Sequence, residues 1–254
     1  MTTATLPADD LGFAVEATAP ARRVVSLVPS LTEAIAATRL DALVGATDWC
    51  THPADLDVER VRGTKNPDRA AIARLTPDLV VANQEENREL DVERLRAEGV
   101  AVWVTRIRTV NEAFASMRRL FVEALGWDVP SWLPDAEQVW SSPPRPGGPR
   151  VAVPIWRDPW MVVGSDTFTG DVMARLGWHN VFGDSAERYP HVELAEIDRD
   201  DVDLVLLPDE PYVFGPDDGP EAFTRASISF VSGRLLTWYG PSLLEAHEGL
   251  RQLT

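Results

Sequence analysis

Residues 109–126 read TVNEAFASMRRLFVEALG. Apolar side chains fall at Val110, Ala113, Phe114, Met117, Leu120, Phe121, Ala124 and Leu125, the i, i+3, i+4, i+7 spacing that lines one face of a helix of period 3.6. Thr109 and Glu112 stand three residues apart as a capping pair, and Gly126 supplies the left-handed residue that stops a helix. Such a helix spans roughly 25 Å, the width of a small domain. Strand and helix patterns lie on both sides of it. The chain therefore reads as α/β, with two parallel-sheet lobes joined by one long rigid helix and a ligand cleft between the lobes. A continuous helix cannot absorb the φ/ψ changes of a hinge, so little closure is expected.

Toward the N-terminus, RRVVSLV (22–28) is an apolar run ending at Pro29, and Ser30-Leu31-Thr32-Glu33 has the form of a capping box opening the helix LTEAIAATRL. DALVGAT supplies a second strand and RVRG a third. Asn66-Pro67-Asp68 starts a helix with proline just inside its first turn. PDLVVAN is a buried strand, ENRELDVERLRAEG a helix stopped at Gly99, and VAVWVT the last strand of this lobe. Alternation at this spacing implies a parallel sheet. Toward the C-terminus, VPSWLPDAEQVW is a second helix or loop, and SSPPRPGGP is too rich in proline and glycine for either regular structure. The expected division is an N-terminal lobe at 21–108, the helix and proline-rich linker at 109–149, and a C-terminal lobe at 150–254. That second lobe holds the strand RVAVPIW, the segment MVVG, the helix TFTGDVMARLG, the strand VDLVLLP, the stretch GRLLTWYG and the helix PSLLEAHEGLRQL.

The 254 residues carry 24 Lys and Arg against 40 Asp and Glu, a formal charge of −16 with no basic stripe, so nucleic acid and anionic membrane surfaces are repelled. No segment has the eighteen or so apolar residues of a membrane span. The first twenty residues carry acids where a secretory signal has Lys or Arg, and they lack its apolar core. The single cysteine, Cys50, excludes an intrachain disulfide and is no lipobox. These features predict a monomeric cytoplasmic protein. G-x-G-x-x-G, the P-loop, G-x-S-x-G, H-E-x-x-H and C-x-x-C are all missing, so neither an enzyme nor a catalytic cofactor is expected.

Aromatics stand at strand ends. Trp49, Trp156, Trp160, Tyr189, Tyr212, Trp238 and Tyr239 neighbour Pro, Gly or polar residues, in loops where open α/β sheets place ligand crevices. The same side chains serve equally as core or hinge packing when their polar atom finds a partner. The WRDPW stretch, with Arg157 between its tryptophans, and Trp238-Tyr239 are the best placed to line a site. Cys50 and His52 flank Thr51 and would point the same way in an extended segment. Two residues fall short of the three or four ligands of a zinc site. Cys50 is thus a small buried hydrophobe or a soft ligand, and His52 a donor to a ligand or to a metal already held in a chelate. Lys65-Asn66 and Gln84 to Asn87 form polar clusters at one edge of the first lobe. Asp209-Glu210-Pro211-Tyr212 holds the corresponding place in the second.

Taken in order, SLVPSLTEAI, VGATDWCTHP, RGTKNP, LTPDLVVANQEENR, the linking helix, IWRDPWMVVGSDT, RYPHVELAEI, LLPDEPYVF and GRLLTWYGP resemble the cobalamin-binding branch of the helical-backbone metal receptors, a class of substrate-binding proteins related to periplasmic binding proteins. The resemblance covers about residues 21–250 and implies a receptor for a metal chelate such as a corrinoid, haem or ferric siderophore. Carried over by position, the ligand residues of the first lobe would be Pro29, Ser30, Trp49, Cys50, His52, Lys65, Glu85 and Glu86. Those of the second would be Trp156, Arg157, Trp160, Tyr189, Glu210, Tyr212, Trp238 and Tyr239, with His52 the one candidate for the metal. Exported relatives dock on a permease through one glutamate per lobe, and the matching positions here are Ala70 and Ala195. With no export signal, this points to a cytosolic receptor, carrier or sensor. The alternatives are the substrate-binding subunit of an ABC importer, with Asp68 and Glu193 or Glu196 docking instead, and a cleft enzyme using Cys50, His52 and the acids.

Overall fold

Two units make up the computed structural model, which describes residues 3–143 and 147–253. The first takes the chain up to Ile107, Asn111–Asp135 and Tyr239–Pro241; the second takes Arg108–Val110, Ala136–Trp238 and the chain from Ser242 onward. Pro144, Arg145 and Pro146 of the proline-rich linker lie outside the described residues.

The first unit opens with an antiparallel hairpin, β1 (Thr3–Ala8) and β2 (Ala14–Thr18). There follow β3 (Val24–Ser26), α1 (Pro29–Arg39), β4 (Leu43–Ala46), β5 (Glu59–Arg60), and a two-residue ribbon of β6 (Arg62–Gly63) and β7 (Asn66–Pro67). α2 (Arg69–Arg74), β8 (Leu79–Asn83), α3 (Glu89–Ala97) and β9 (Val102–Thr105) complete the alternation. The sheet is parallel with order β5-β4-β3-β8-β9. β8 and β9 are buried end to end, as strands covered on both faces must be. Val25, Val80, Val102 and Val104 pack against Ile72, Val92 and Leu95 from the helices.

The decisive helix forms as read. α4 (Val110–Arg119) continues into a wider turn, Leu120–Ala124, whose exit is marked by the Leu125 amide donating to the Leu120 carbonyl at 2.9 Å. Gly126 then takes the expected left-handed conformation at φ +67°. Val110, Ala113, Met117, Leu120, Phe121, Ala124 and Leu125 are all buried, and the Val110 amide donates to Asp171 Oδ2 at 2.8 Å.

In the second unit α5 (Trp132–Val139), β10 (Arg150–Ala152), β11 (Pro154–Trp156), β12 (Met161–Val162), α6 (Phe168–Arg175) and β13 (His179–Asn180) are followed by α7 (Leu194–Ile197) and β14 (Leu204–Pro208). β15 (Ser227–Val231), α8 (Gly233–Thr237) and α9 (Ser242–Arg251) close it. Its parallel sheet has order β13-β10-β14-β15. The fold class is that expected, α/β with two parallel sheets.

Four local details differ from the sequence reading. α1 starts at Pro29 with Val28 at its N-cap and no side-chain cap, so Ser30 lies inside the first turn instead of capping it. Proline at the first helical position presets φ and has no N–H to satisfy. In α2 it is Asp68 that caps, its Oδ1 accepting from the Ala71 amide at 2.9 Å, and Pro67 lies outside the helix. RVAVPIW divides into β10 and β11 because Pro154 has no N–H for the ladder; β11 turns away to pair antiparallel with β12. The N-terminal hairpin was not foreseen. The acids of its turn are pegs: Asp9 Oδ2 accepts from Arg96 Nη2 at 2.7 Å and from the Val104 amide at 3.2 Å, while Asp10 takes Ser116 Oγ at 2.5 Å and the Arg119 guanidinium.

In the second unit one carboxylate sets the entry to β15. Asp198 accepts from the amides of Thr224, Arg225 and Ala226 and from Thr224 Oγ1, at 2.8–3.0 Å. Burial by itself would raise its pKa, but these donors outweigh it and bring the carboxyl down to about 2. A folded-state pKa below the unfolded value of about 3.9 stabilises fully above that value and is lost as pH falls through the folded one. Asp198→Ala should therefore cost about 1–2 kcal/mol near neutral pH. Denaturant unfolding should show the gap to wild type constant above about pH 5 and closing toward about pH 2; a gap that does not change with pH would contradict this clamp.

Candidate functional site

Parallel strands leave N–H and C=O groups unpaired at their carboxyl ends, and in the first unit side-chain amides satisfy them. Asn83 ends β8. Its Nδ2 donates to Thr105 Oγ1 at 3.0 Å, its Oδ1 accepts from the Glu85 and Glu86 amides at 2.9 and 3.3 Å, and its own amide donates to Asn87 Oδ1 at 2.9 Å. Asn87 Nδ2 in turn reaches the carbonyls of Leu27 and Thr64, at 3.2 and 2.9 Å. One buried pair thus ties the ends of β3 and β8 to the loop before Lys65. Lys65 and Glu85, read as polar clusters on one edge, do meet: Lys65 Nζ donates to the Glu85 carbonyl at 2.5 Å.

The loop after β4 carries Trp49 to His52, and Arg60 braces it by donating to the carbonyls of Thr47, Cys50 and Leu56 at 2.9–3.1 Å. Trp49 stays 67% exposed. Its indole lies beside Gly63, where an added Cβ would stand 3.3 Å from Nε1, so the ribbon supports the ring from behind and leaves its remaining surface open. Cys50 resolves to the structural role. It is fully buried between Thr32 and Thr47, whose hydroxyls lie 3.0 and 3.1 Å from Sγ, and burial pushes its thiol pKa up. Ser30 is buried too, with Gly240 packed 3.4 Å from its carbonyl. His52 is exposed, Nδ1 3.2 Å from Thr51 Oγ1. Among the described residues no three His, Cys, Asp or Glu come together as a metal site, so His52 can meet only a metal that a chelate brings with it.

In the second unit the loops after β11 and β14 form an aromatic face. Trp156 is 45% exposed and meets Tyr212 edge to face at 5.4 Å; Tyr212 packs on Phe214 at 4.7 Å. Tyr212 donates from its hydroxyl to Asp218 Oδ2 at 2.6 Å, which raises the tyrosine pKa and lowers that of the carboxyl. Arg157 pairs with Asp218 and, at 2.6 Å, with Glu221. Gly219 lets this loop close: at φ +121°, a Cβ there would lie 2.6 Å from Phe214. Asp218 and Glu221 escaped the sequence reading. Their signal was an acidic, glycine-flanked loop, GPDDGPE, a few residues beyond Tyr212 and matched to an otherwise isolated Arg157.

Other candidates pack inward. Trp160, 8% exposed, stacks on Phe214 with an interplanar angle of 5°. Trp238 is 5% exposed and donates from Nε1 to Glu210 Oε1 at 2.5 Å, and Thr237 Oγ1 donates to the same oxygen at 3.2 Å. Glu210 is thereby a brace instead of an open ligand contact, and its burial raises its pKa. Gly233 fits beneath it, since a Cβ would lie 2.2 Å from Glu210 Cγ, and its amide donates to Asp209 Oδ1 at 2.7 Å. Tyr239 is buried as well. Tyr189 is half-buried under the Arg188 guanidinium, 5.5 Å from its ring centroid.

No family model matches the chain. It is 26% identical to the vitamin B12-binding protein of Vibrio cholerae serotype O1 over 189 residues, 70% of this chain and 67% of that one. Its structure is similar to the periplasmic vitamin B12 binding protein BtuF of Vibrio cholerae, with a TM-score of 0.70 at 21% identity over 92% of this chain and 96% of the other. A periplasmic heme binding protein from Pseudomonas aeruginosa gives 0.74 at 22% identity, over 92% of each chain. The structural likenesses establish the fold. Together with the B12-binding relatives they bear out the resemblance to the cobalamin branch of the helical-backbone metal receptors, and, being binding proteins, they bear out the absence of enzymatic chemistry. They correct the expected location: the matched structures are of periplasmic proteins, against the cytoplasm inferred from composition and the first twenty residues.

The geometry separates two tryptophans that the sequence treats alike. Trp238→Ala should lower unfolding free energy by about 3–5 kcal/mol, the cost of a large core truncation. Trp156→Ala, at a half-open position, should change it by about 1 kcal/mol or less. Equal losses in urea unfolding would contradict the assignment of Trp238 to the core and Trp156 to a surface face.

Proposed function

We propose that this chain is the substrate-binding subunit of an ABC importer for a metal chelate, and that the chelate is a corrinoid. The single observation that carries this is the similarity to vitamin B12-binding proteins over 70% of the chain. The open aromatic surfaces of Trp49 and of Trp156 with Tyr212 support it, because a macrocycle offers flat apolar area to an indole. Trp49, His52, Lys65, Glu85 and Glu86 of the first unit, and Trp156, Tyr189 and Tyr212 of the second, are the proposed ligand contacts; Pro29 lies half-buried beside them at the start of α1.

Electrostatics favour a corrinoid over haem. Haem carries two propionates that need cationic partners, whereas cobalamin presents amides around its ring. Here Lys65 donates to a main-chain carbonyl and Arg157 is held by two carboxylates, while Glu85, Glu86, Asp158, Asp217 and Asp218 accompany them in the same loops. Docking acids are a separate matter. Ala70 and Ala195 are both exposed where glutamates would dock, and Asp68 is committed to the cap of α2. Glu193 and Glu196, exposed and locked in a capping box around Ala195, remain for contact with a permease in the second unit.

Titration of the purified chain with cyanocobalamin, followed by quenching of tryptophan fluorescence, should saturate at one ligand per chain with micromolar or tighter affinity. Trp49→Ala should weaken binding by about 1–3 kcal/mol, the loss expected of a buried hot-spot aromatic. Saturable hemin binding without cyanocobalamin binding would overturn the corrinoid assignment.

A further inference from the structure

We propose that Asp218 and Glu221 determine specificity by masking Arg157, so that the aromatic face refuses anionic chelates; this rests on the chelate-binding reading above. The guanidinium of Arg157 stands directly after Trp156 and lies over the Trp160 ring at 5.3 Å. Left unpaired there, it would be the natural partner for a ligand carboxylate, since a planar fork of donors pairs with carboxylates at both nitrogens. Three carboxylates surround it instead: Asp218, Glu221 at 2.6 Å, and the exposed Asp158 at 3.6 Å from Nε. One guanidinium against three acids leaves the face with net negative charge.

The arrangement is built into the fold. Glu221 Oε2 also accepts from the Gly219 amide at 2.6 Å, and Asp218 Oδ2 accepts from Tyr212 at 2.6 Å. Both acids are thus fixed by donors other than Arg157 and do not depend on a ligand for their placement. The main-chain bonds between Gly215 and Asp218, 3.0 Å each way, close the loop that delivers them. Their partners hold both carboxyl groups below their ordinary pKa values, Tyr212 foremost for Asp218 and Arg157 foremost for Glu221, so both acids stay charged at neutral pH. A chelate with peripheral carboxylates meets repulsion at this face, whereas one with peripheral amides does not.

The test is a pair of titrations, cyanocobalamin and hemin, on wild type, Asp218→Asn/Glu221→Gln, and the same double variant with Arg157→Gln added. The double variant should raise the hemin-to-cyanocobalamin affinity ratio at least about fivefold, and Arg157→Gln should abolish the rise. Added salt should strengthen hemin binding to wild type and weaken it for the double variant, since screening acts on repulsion in one and attraction in the other. The single substitutions D218N and E221Q each keep one carboxylate on Arg157. They should give smaller rises in the same direction, so a double variant that does not fold leaves the idea testable. A ratio unchanged in the variants, or a rise that survives Arg157→Gln, overturns it. Wild-type protein that takes up neither chelate defeats instead the functional reading of the preceding section.

Discussion

A parallel sheet cannot hydrogen-bond its own carboxyl end, and each unit of this protein answers that constraint with a different set of side chains. In the first, the carboxamides of Asn83 and Asn87 take up the exposed groups and fix the turn at Glu85 and Glu86. In the second, carboxylates do the same work: Asp209 and Glu210 follow β14 and bind the amide of Gly233 and the indole of Trp238. Where these loops sit follows from these bonds, and so does the set of side chains left open to a ligand. Trp49 and Trp156 remain on the surface because neither indole has been recruited to close a strand end.

That division also explains why the second unit is acidic at its aromatic face. Carboxylates that accept main-chain and side-chain donors keep their charge at neutral pH, so a loop built from Asp218 and Glu221 is rigid and negative at once. Arg157, read from the sequence as a ligand contact, becomes the counter-charge that lets the two acids approach one another. A binding surface can thereby be aromatic in shape and still select by charge.

Much of the fold was legible because helix and buried-strand periodicities are strong signals. The 109–126 helix, the β8 and β9 strands and the α6 cap at Thr167 all follow from local pattern. The N-terminal hairpin was not, since the acids at its turn have partners in Arg96, Ser116 and Arg119 about a hundred residues away, and spacing carries no record of such contacts. The site was half legible. Strand-end aromatics could be listed, but Trp49 and Trp238 have the same local chemistry and opposite environments, and only Glu210 behind Trp238 tells them apart. Location was misread because composition and an acidic start describe solubility and a single segment, whereas the likeness to periplasmic proteins spans 92% of the chain.

The central claim is that these loops hold a corrinoid. It is tested most directly by the visible absorption spectrum and native mass of the protein purified from its own host without added ligand. The account predicts a corrinoid absorption envelope and a mass increment of one corrinoid per chain. A haem Soret band with the corresponding mass, or a bound molecule that is no metal chelate, would contradict it.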